Sequence, residues 1–153
     1  MDDRQFLVLL ALNAYRDKEG VIFTTHKLLQ KCGYKEGSIR TKLRELEALN
    51  LIENKTVDGY SLQFKCFKPQ NCPDFIFSET LTLDDKLFIL RLLRENISDF
   101  SSHKGLDKQL NSNNIHFTLT RIEKKLNMSM ADYLKTIKCI KLSLKDSEEY
   151  EFF

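Results

Sequence analysis

The stretch LIENKTVDGYSLQFKCF, residues 51–67, sets the tightest limit on what this chain can fold into. Tyr60, Leu62, Phe64 and Cys66 alternate with Ser61, Gln63 and Lys65, the two-residue period of a strand with one face toward a core. Leu51–Thr56 reads as the opposing strand. Between them Val57-Asp58-Gly59 carries Asp-Gly at a tight turn, so the segment is a β-hairpin signal.

Upstream the period changes to that of a helix. Phe6, Leu7, Leu9, Leu10 and Leu12, with Ala11 and Ala14, give a strongly apolar helix that runs out at Asp17–Gly20. Val21-Ile22-Phe23 follows, a β-branched and aromatic run suited to pairing at the edge of a small sheet. Thr24 or Thr25 caps a second helix through Cys32, with Leu28, Leu29 and Cys32 inward and Gly33 as the terminating glycine. Tyr34–Gly37 makes a turn. Ser38 then opens a third helix with Ile39, Leu43 and Leu46 on one face, and Leu49–Ile52 leads into the hairpin.

The order is helix, short strand, helix, turn, helix, hairpin. The segment TTHKLLQKCGYKEGSIRTKLRELEALNLIENKTVDGYSLQF resembles the winged helix-turn-helix domains of bacterial and phage regulators and replication proteins. Its ending, LxxLExLNLIE, in which the third helix runs straight into the first wing strand, is the most specific part. The resemblance covers residues 1–68 and is one of pattern rather than catalytic signature, so it implies a fold more firmly than a function. The fold class expected is mainly α with a small β-hairpin: an N-terminal winged helix-turn-helix followed by a helical C-terminal half. The partner that the resemblance implies is double-stranded DNA, met by the N-terminal part of the third helix in the major groove.

The chemistry of that helix suits the role. With about 100° per residue, the side opposite Ile39, Leu43 and Leu46 consists of Gly37, Thr41, Arg44 and Ala48, flanked by Ser38, Arg40 and Glu45. Small residues permit close approach, Ser38 and Thr41 can bond phosphate or base, and Arg40 and Arg44 can reach phosphate or the edge of guanine. Lys35 ahead of the helix and Lys42 on its side can hold the DNA backbone, as can Lys27 and Lys31 on the preceding helix. In the wing Lys55 is the one cation, and Thr56 and Tyr60 are its other candidates for contact. The DNA-binding candidates are therefore Lys35, Ser38, Arg40, Thr41, Lys42, Arg44 and Lys55. A second reading of the same residues stays open: Arg40 and Arg44 can pair along the helix with Glu36 and Glu47 and serve only solubility.

Residues 69–80 read as a linker holding both prolines, Pro69 and Pro73, and residues 81–145 as a helical domain. Thr82 and Asp85 form a capping-box pattern before Leu83, Leu87, Ile89, Leu90, Leu92 and Leu93, apolar around more than half the helix. Such a helix is sandwiched between elements or between protomers. Helices are expected over Ser102–Leu110, Phe117–Leu126 and Ser129–Leu144, the last capped by Ser129 and Asp132, with no further strand. HKGLDKQLNSNNIHFTLTRIEKKLN faintly echoes HKLLQKCGYKEGSIRTKLRELEALN, which would set Thr118, Thr120 and Arg121 in places like those of Ser38 and Arg40. Two amphipathic helices joined by an Asn/Ser turn explain the echo more simply. The region is thus a possible degenerate second helix-turn-helix or a dimerisation unit.

Charge sharpens the picture only a little. Lys+Arg number 24 against 22 Asp+Glu, and Asp146, Glu148, Glu149 and Glu151 crowd the end, so a mildly basic body carries an acidic tail over 146–153. The apolar N-terminal run is short and broken by Asn13, unlike a signal peptide or membrane span. Four cysteines without a CxxC pair favour reduced thiols and a cytoplasmic setting, and Cys66 and Cys72 lack the further ligands a structural zinc needs. No phosphate loop, HExxH or GxSxG occurs, and Asp84-Asp85 suits a helix N-terminus better than an acid/base pair. Neither an enzyme, a cofactor, a metal site nor a small-molecule ligand is expected. The functional expectation is a DNA-binding protein, a transcriptional regulator acting as a homodimer. The alternatives are a plasmid or phage replication initiator with two helix-turn-helix units, and a winged-helix interaction module that does not bind DNA.

Overall fold

The computed structural model describes residues 1–17, 19–56, 59–62, 64–66, 74–95, 97, 99–110, 114–137, 140–144 and 149–152. Helix α1, Asp3–Ala14, starts with a capping box: Asp2 accepts from the Gln5 amide at 2.8 Å and the Gln5 side chain accepts from the Asp2 amide at 3.1 Å. Every residue from Phe6 to Asn13 is buried, so α1 is apolar on all sides and lies at the centre of the molecule. Helices α2 (Thr25–Lys31), α3 (Glu36–Ala48) and α4 (Leu83–Arg94) surround it. With a homodimer expected, the sequence reading has α1 or α4 bury its spare apolar face between subunits rather than against the other. The two faces instead meet within one chain.

Strands β1 (Val21–Phe23), β2 (Ile52–Thr56) and β3 (Gly59–Leu62) form an antiparallel sheet in the order β1-β3-β2. Ile22 and Asn54 both stand opposite Tyr60, and the register shifts between Asn54 and Thr56. The chain is thus mainly α with a small hairpin sheet, as its periodicities require. Two starts differ in detail from the sequence reading. Thr24 precedes α2 without a side-chain cap, its φ is 56° and its hydroxyl donates to the Phe23 carbonyl. α3 opens at Glu36, with Lys35 as its N-cap residue, so Ser38 lies inside the first turn.

The C-terminal half departs further. Helix α7, Met130–Thr136, is capped by Ser129 as expected, the hydroxyl accepting from the Asp132 amide at 3.2 Å. It does not continue to Leu144. Ile137 is extended, and β5 (Ile140–Leu144) and β6 (Glu149–Phe152) pair with β4 (Phe64–Cys66) in a second antiparallel sheet of order β4-β5-β6. The segment IKLSL alternates with a period of two, which suits a strand once a partner is available. The partner is distant: Phe64 stands opposite Leu144 and Cys66 opposite Leu142. Consequently the expected single strand over Tyr60–Phe67 divides between two sheets, and the acidic tail contributes a strand with Glu151 opposite Lys141.

The described part of the expected linker, 74–80, also enters the core, while 69–73 with both prolines lie outside the described residues. Asp74–Phe77 is a 3-10 turn whose Phe75 and Ile76 are buried, because three consecutive apolar side chains there gain more from burial than from exposure. One buried cluster runs from Phe6 to Met130, through both halves. Helices α5 (His103–Leu110) and α6 (Ile115–Leu126) complete it with Leu106, Leu110, Ile115, Leu119 and Ile122.

Polar contacts lock α4 into place at both ends. Arg94 pairs with Asp3 at 2.8 Å, donates to the Met1 carbonyl and lies 5.0 Å over the Phe6 ring. At the other end Thr82 and Asp85 make the expected capping box. Lys86 beside them is 1% exposed, and its ammonium donates to the Cys32 carbonyl at 3.1 Å and the Lys31 carbonyl at 3.5 Å. A buried cation thus meets the carbonyl-rich end of α2. Burial lowers the Lys86 pKa and pushes the neighbouring Cys32 thiol up to about 12.

Candidate nucleic-acid interface

α3 owes its position to a sharp contrast between its faces. Ile39, Leu43 and Leu46 are buried against the core, while Gly37, Arg40, Thr41, Arg44 and Ala48 are exposed on the other side. One edge is tied down. Glu45 accepts from Gln5 of α1 at 2.8 Å and from Lys42 at 3.0 Å, and these two bonds hold its carboxyl below the usual range. Tyr34, buried in the α2–α3 turn, donates to the Arg4 carbonyl at 2.7 Å, which anchors the same end of α1. Burial pushes the Tyr34 phenol well up, so it stays a neutral donor.

The seven candidates fall into three groups. Arg40, Thr41 and Arg44 are exposed along one face of α3, with Ser38 half-buried beside them and Lys35 exposed ahead of the helix at its N-cap. Arg44 makes no ion pair among the described residues. Arg40 lies 3.5 Å from Glu36, but both side chains are mostly exposed and the pair contributes little. The Thr41 hydroxyl donates to the Gly37 carbonyl at 3.0 Å, which leaves its oxygen to act as an acceptor only. Lys42 forms the second group. Its side chain is 14% exposed and bound to Glu45, so it buttresses the helix rather than presenting a charge. Lys55 is the third, exposed on β2 with Glu53 at 3.9 Å. Tyr60, considered for the wing, is buried, and the wing tip at Val57 and Asp58 lies outside the described residues.

Cationic side chains continue onto α2, where Lys27 and Lys31 are exposed. At the far end of α3 the sign reverses. An open cleft of about 270 Å³ there is lined by Glu47, Asn50, Ile52 and Glu53, and its carboxylates would repel phosphate. The surface fit for an anion therefore spans the first two and a half turns of α3. No described group of His, Cys, Asp and Glu could hold a metal ion. No described helix is long and apolar enough to cross a membrane.

No family model, curated protein or solved structure matches this chain. The α3 surface must be interpreted from its own chemistry.

Two features escaped the sequence reading. Gln5 holds Glu45 across the α1–α3 contact, and no local pattern announces a bond between residues so far apart. Gly37 was placed on the outer face but not counted among the site residues. A Cβ built on it meets nothing within 4 Å, so the surface is open where a groove wall would approach.

Proposed function

We propose that this protein binds double-stranded DNA, with α3 seated in the major groove. The observation that carries the reading is the exposed face of α3, on which Gly37 and Thr41 leave room for a groove wall and Arg40 and Arg44 flank it. An arginine at such a position reads guanine through two parallel hydrogen bonds, while Lys35, Lys27 and Lys31 meet phosphates. The function that follows is control of transcription. A lone helix of this kind covers few base pairs, so the reading includes a homodimer spanning two half-sites about one helical turn apart. The apolar faces of α1 and α4 are consumed inside one protomer and do not form that contact.

Selection from random duplexes with the purified full chain, followed by binding titrations over a salt series, tests the reading. Affinity should fall steeply with salt, since displaced counterions accompany every phosphate contact. Arg44→Ala should weaken the selected site by about 1–3 kcal/mol. Unaltered binding by a folded Arg44→Ala variant, or no salt-sensitive binding at all, would exclude α3 as the reading helix. Sedimentation equilibrium checks the dimer: a monomer mass both free and on DNA rules it out.

A further inference from the structure

Phe117 on α6 is 73% exposed, more than any other large apolar side chain described. It lies on a helix with an ordinary buried stripe of Ile115, Leu119 and Ile122. At about 100° per residue, Phe117 and Lys124 fall opposite that stripe, with Thr120 and Arg121 to either side. The ring has a firm neighbour in His116, edge-on at 5.9 Å between centroids.

Along α5 and α6 the charge is one-sided. Residues 103–126 carry Lys104, Lys108, Arg121, Lys124 and Lys125 against only Asp107 and Glu123. Both carboxylates are turned to the protein's own backbone: Asp107 accepts from the Ile115 amide at 3.3 Å and Glu123 from the Met130 amide at 2.6 Å. Arg121 and Lys125 share the buried Asp85, although half of the Arg121 side chain remains accessible. Lys104, Lys108 and Lys124 are exposed and make no ion pair among the described residues.

We propose that this face of α6 binds single-stranded DNA, Phe117 stacking on an unpaired base and Lys124 meeting the adjoining phosphate. An aromatic face set in a cationic surface is what an unpaired strand needs, because its bases expose their π faces and its backbone is anionic. A duplex keeps those faces inside its stack, and an acidic peptide would engage the lysines while leaving the ring without a matching partner. The choice of DNA over RNA rests on the reading of α3. The stacking surface does not depend on that reading.

Fluorescence anisotropy of a labelled oligothymidylate of about twelve nucleotides, titrated with the full chain, tests the proposal. Phe117→Ala should weaken binding about tenfold or more with an unchanged salt dependence, because stacking displaces no counterion. Phe117→Tyr should keep the affinity. Lys124→Ala should make the slope of log affinity on log salt less negative by about 0.7. Arg44→Ala, which tests the α3 reading on duplex, should leave oligothymidylate binding unchanged, so either proposal can fail without the other. The circular dichroism of each variant should match that of the wild type, because both side chains lie outside the core. Wild-type affinity in Phe117→Ala, absence of oligothymidylate binding, or binding of an oligouridylate in its place would overturn the proposal. So would displacement of the strand by an acidic peptide at equal concentration.

Discussion

Asp85 is a single carboxylate on which three residues converge, Thr82 from the cap of its own helix and Arg121 and Lys125 from α6. It is fully buried, accepts from Arg121 Nε at 3.0 Å and Nη2 at 2.6 Å on one oxygen, and from Lys125 Nζ at 2.7 Å and the Thr82 amide on the other. Burial alone would raise its pKa, but the bonds from Lys125, the Thr82 amide and Arg121 outweigh it and hold the group below its ordinary 3.8. Asp85→Asn keeps the shape and removes the charge both cations need. It should cost about 2–3 kcal/mol at neutral pH, moderated because Arg121 is half in water. The pH dependence has a definite sign. With the folded pKa depressed, the unfolded chain takes up the proton first, so the stabilisation is complete above about pH 4 and declines as pH falls toward the folded value. Urea midpoints of wild type and Asp85→Asn should therefore converge below about pH 4. A gap that stays constant with pH would deny the charge its role.

Among the elements, two glycines in neighbouring segments should respond in opposite directions to the same substitution. Gly33 ends α2 with φ at 106°, and a Cβ there would meet the Leu83 Cβ at 3.1 Å, where α4 begins. Gly33→Ala should destabilise by about 1–3 kcal/mol through backbone strain and crowding. Gly37 has helical geometry and open space, so Gly37→Ala should stabilise by about 0.4–1 kcal/mol. The same added methyl group should reduce duplex affinity if α3 lies in a groove. Thermal denaturation reads the first pair of effects and a duplex titration the last. The Gly33 stop and the outer face of α3 were both legible because each depends on a few adjacent residues. The Lys42–Glu45–Gln5 chain was not, since a wheel drawn for one helix cannot show what a second helix brings against its edge. β5 and β6 were hidden for a related reason. Ile140–Leu144 has a strand's period, but its pairing with Phe64–Cys66 joins the middle of the chain to its C-terminal part, and an apolar run after a capped helix start favours continuation of the helix until that partner is known.

At the scale of the whole molecule, the boundary suggested near residue 68 does not divide the core. α1 belongs to the N-terminal half by sequence, yet its buried residues include Phe6, Leu9 and Leu10 as well as Leu7, Val8 and Leu12, and α4 supplies one of its walls. Arg94 and Asp3 close the same contact at its edge. A fragment of residues 1–68 would lose that wall, together with Phe75, Ile76 and the β5 strand that pairs β4. A small domain has only about 5–15 kcal/mol of net stability, and each large apolar side chain returned to water costs about 1.5–3 kcal/mol. Exposure of a few α1 side chains is therefore enough to exhaust it. The fragment is expected to lack a cooperative thermal transition, to bind hydrophobic dyes and to lose duplex binding, although it contains the whole of α3. Circular dichroism melting of the fragment beside the full chain is the measurement. A sharp transition in the fragment, with duplex affinity kept, would mean that α1 can be covered without α4 and that the N-terminal elements stand as a domain of their own.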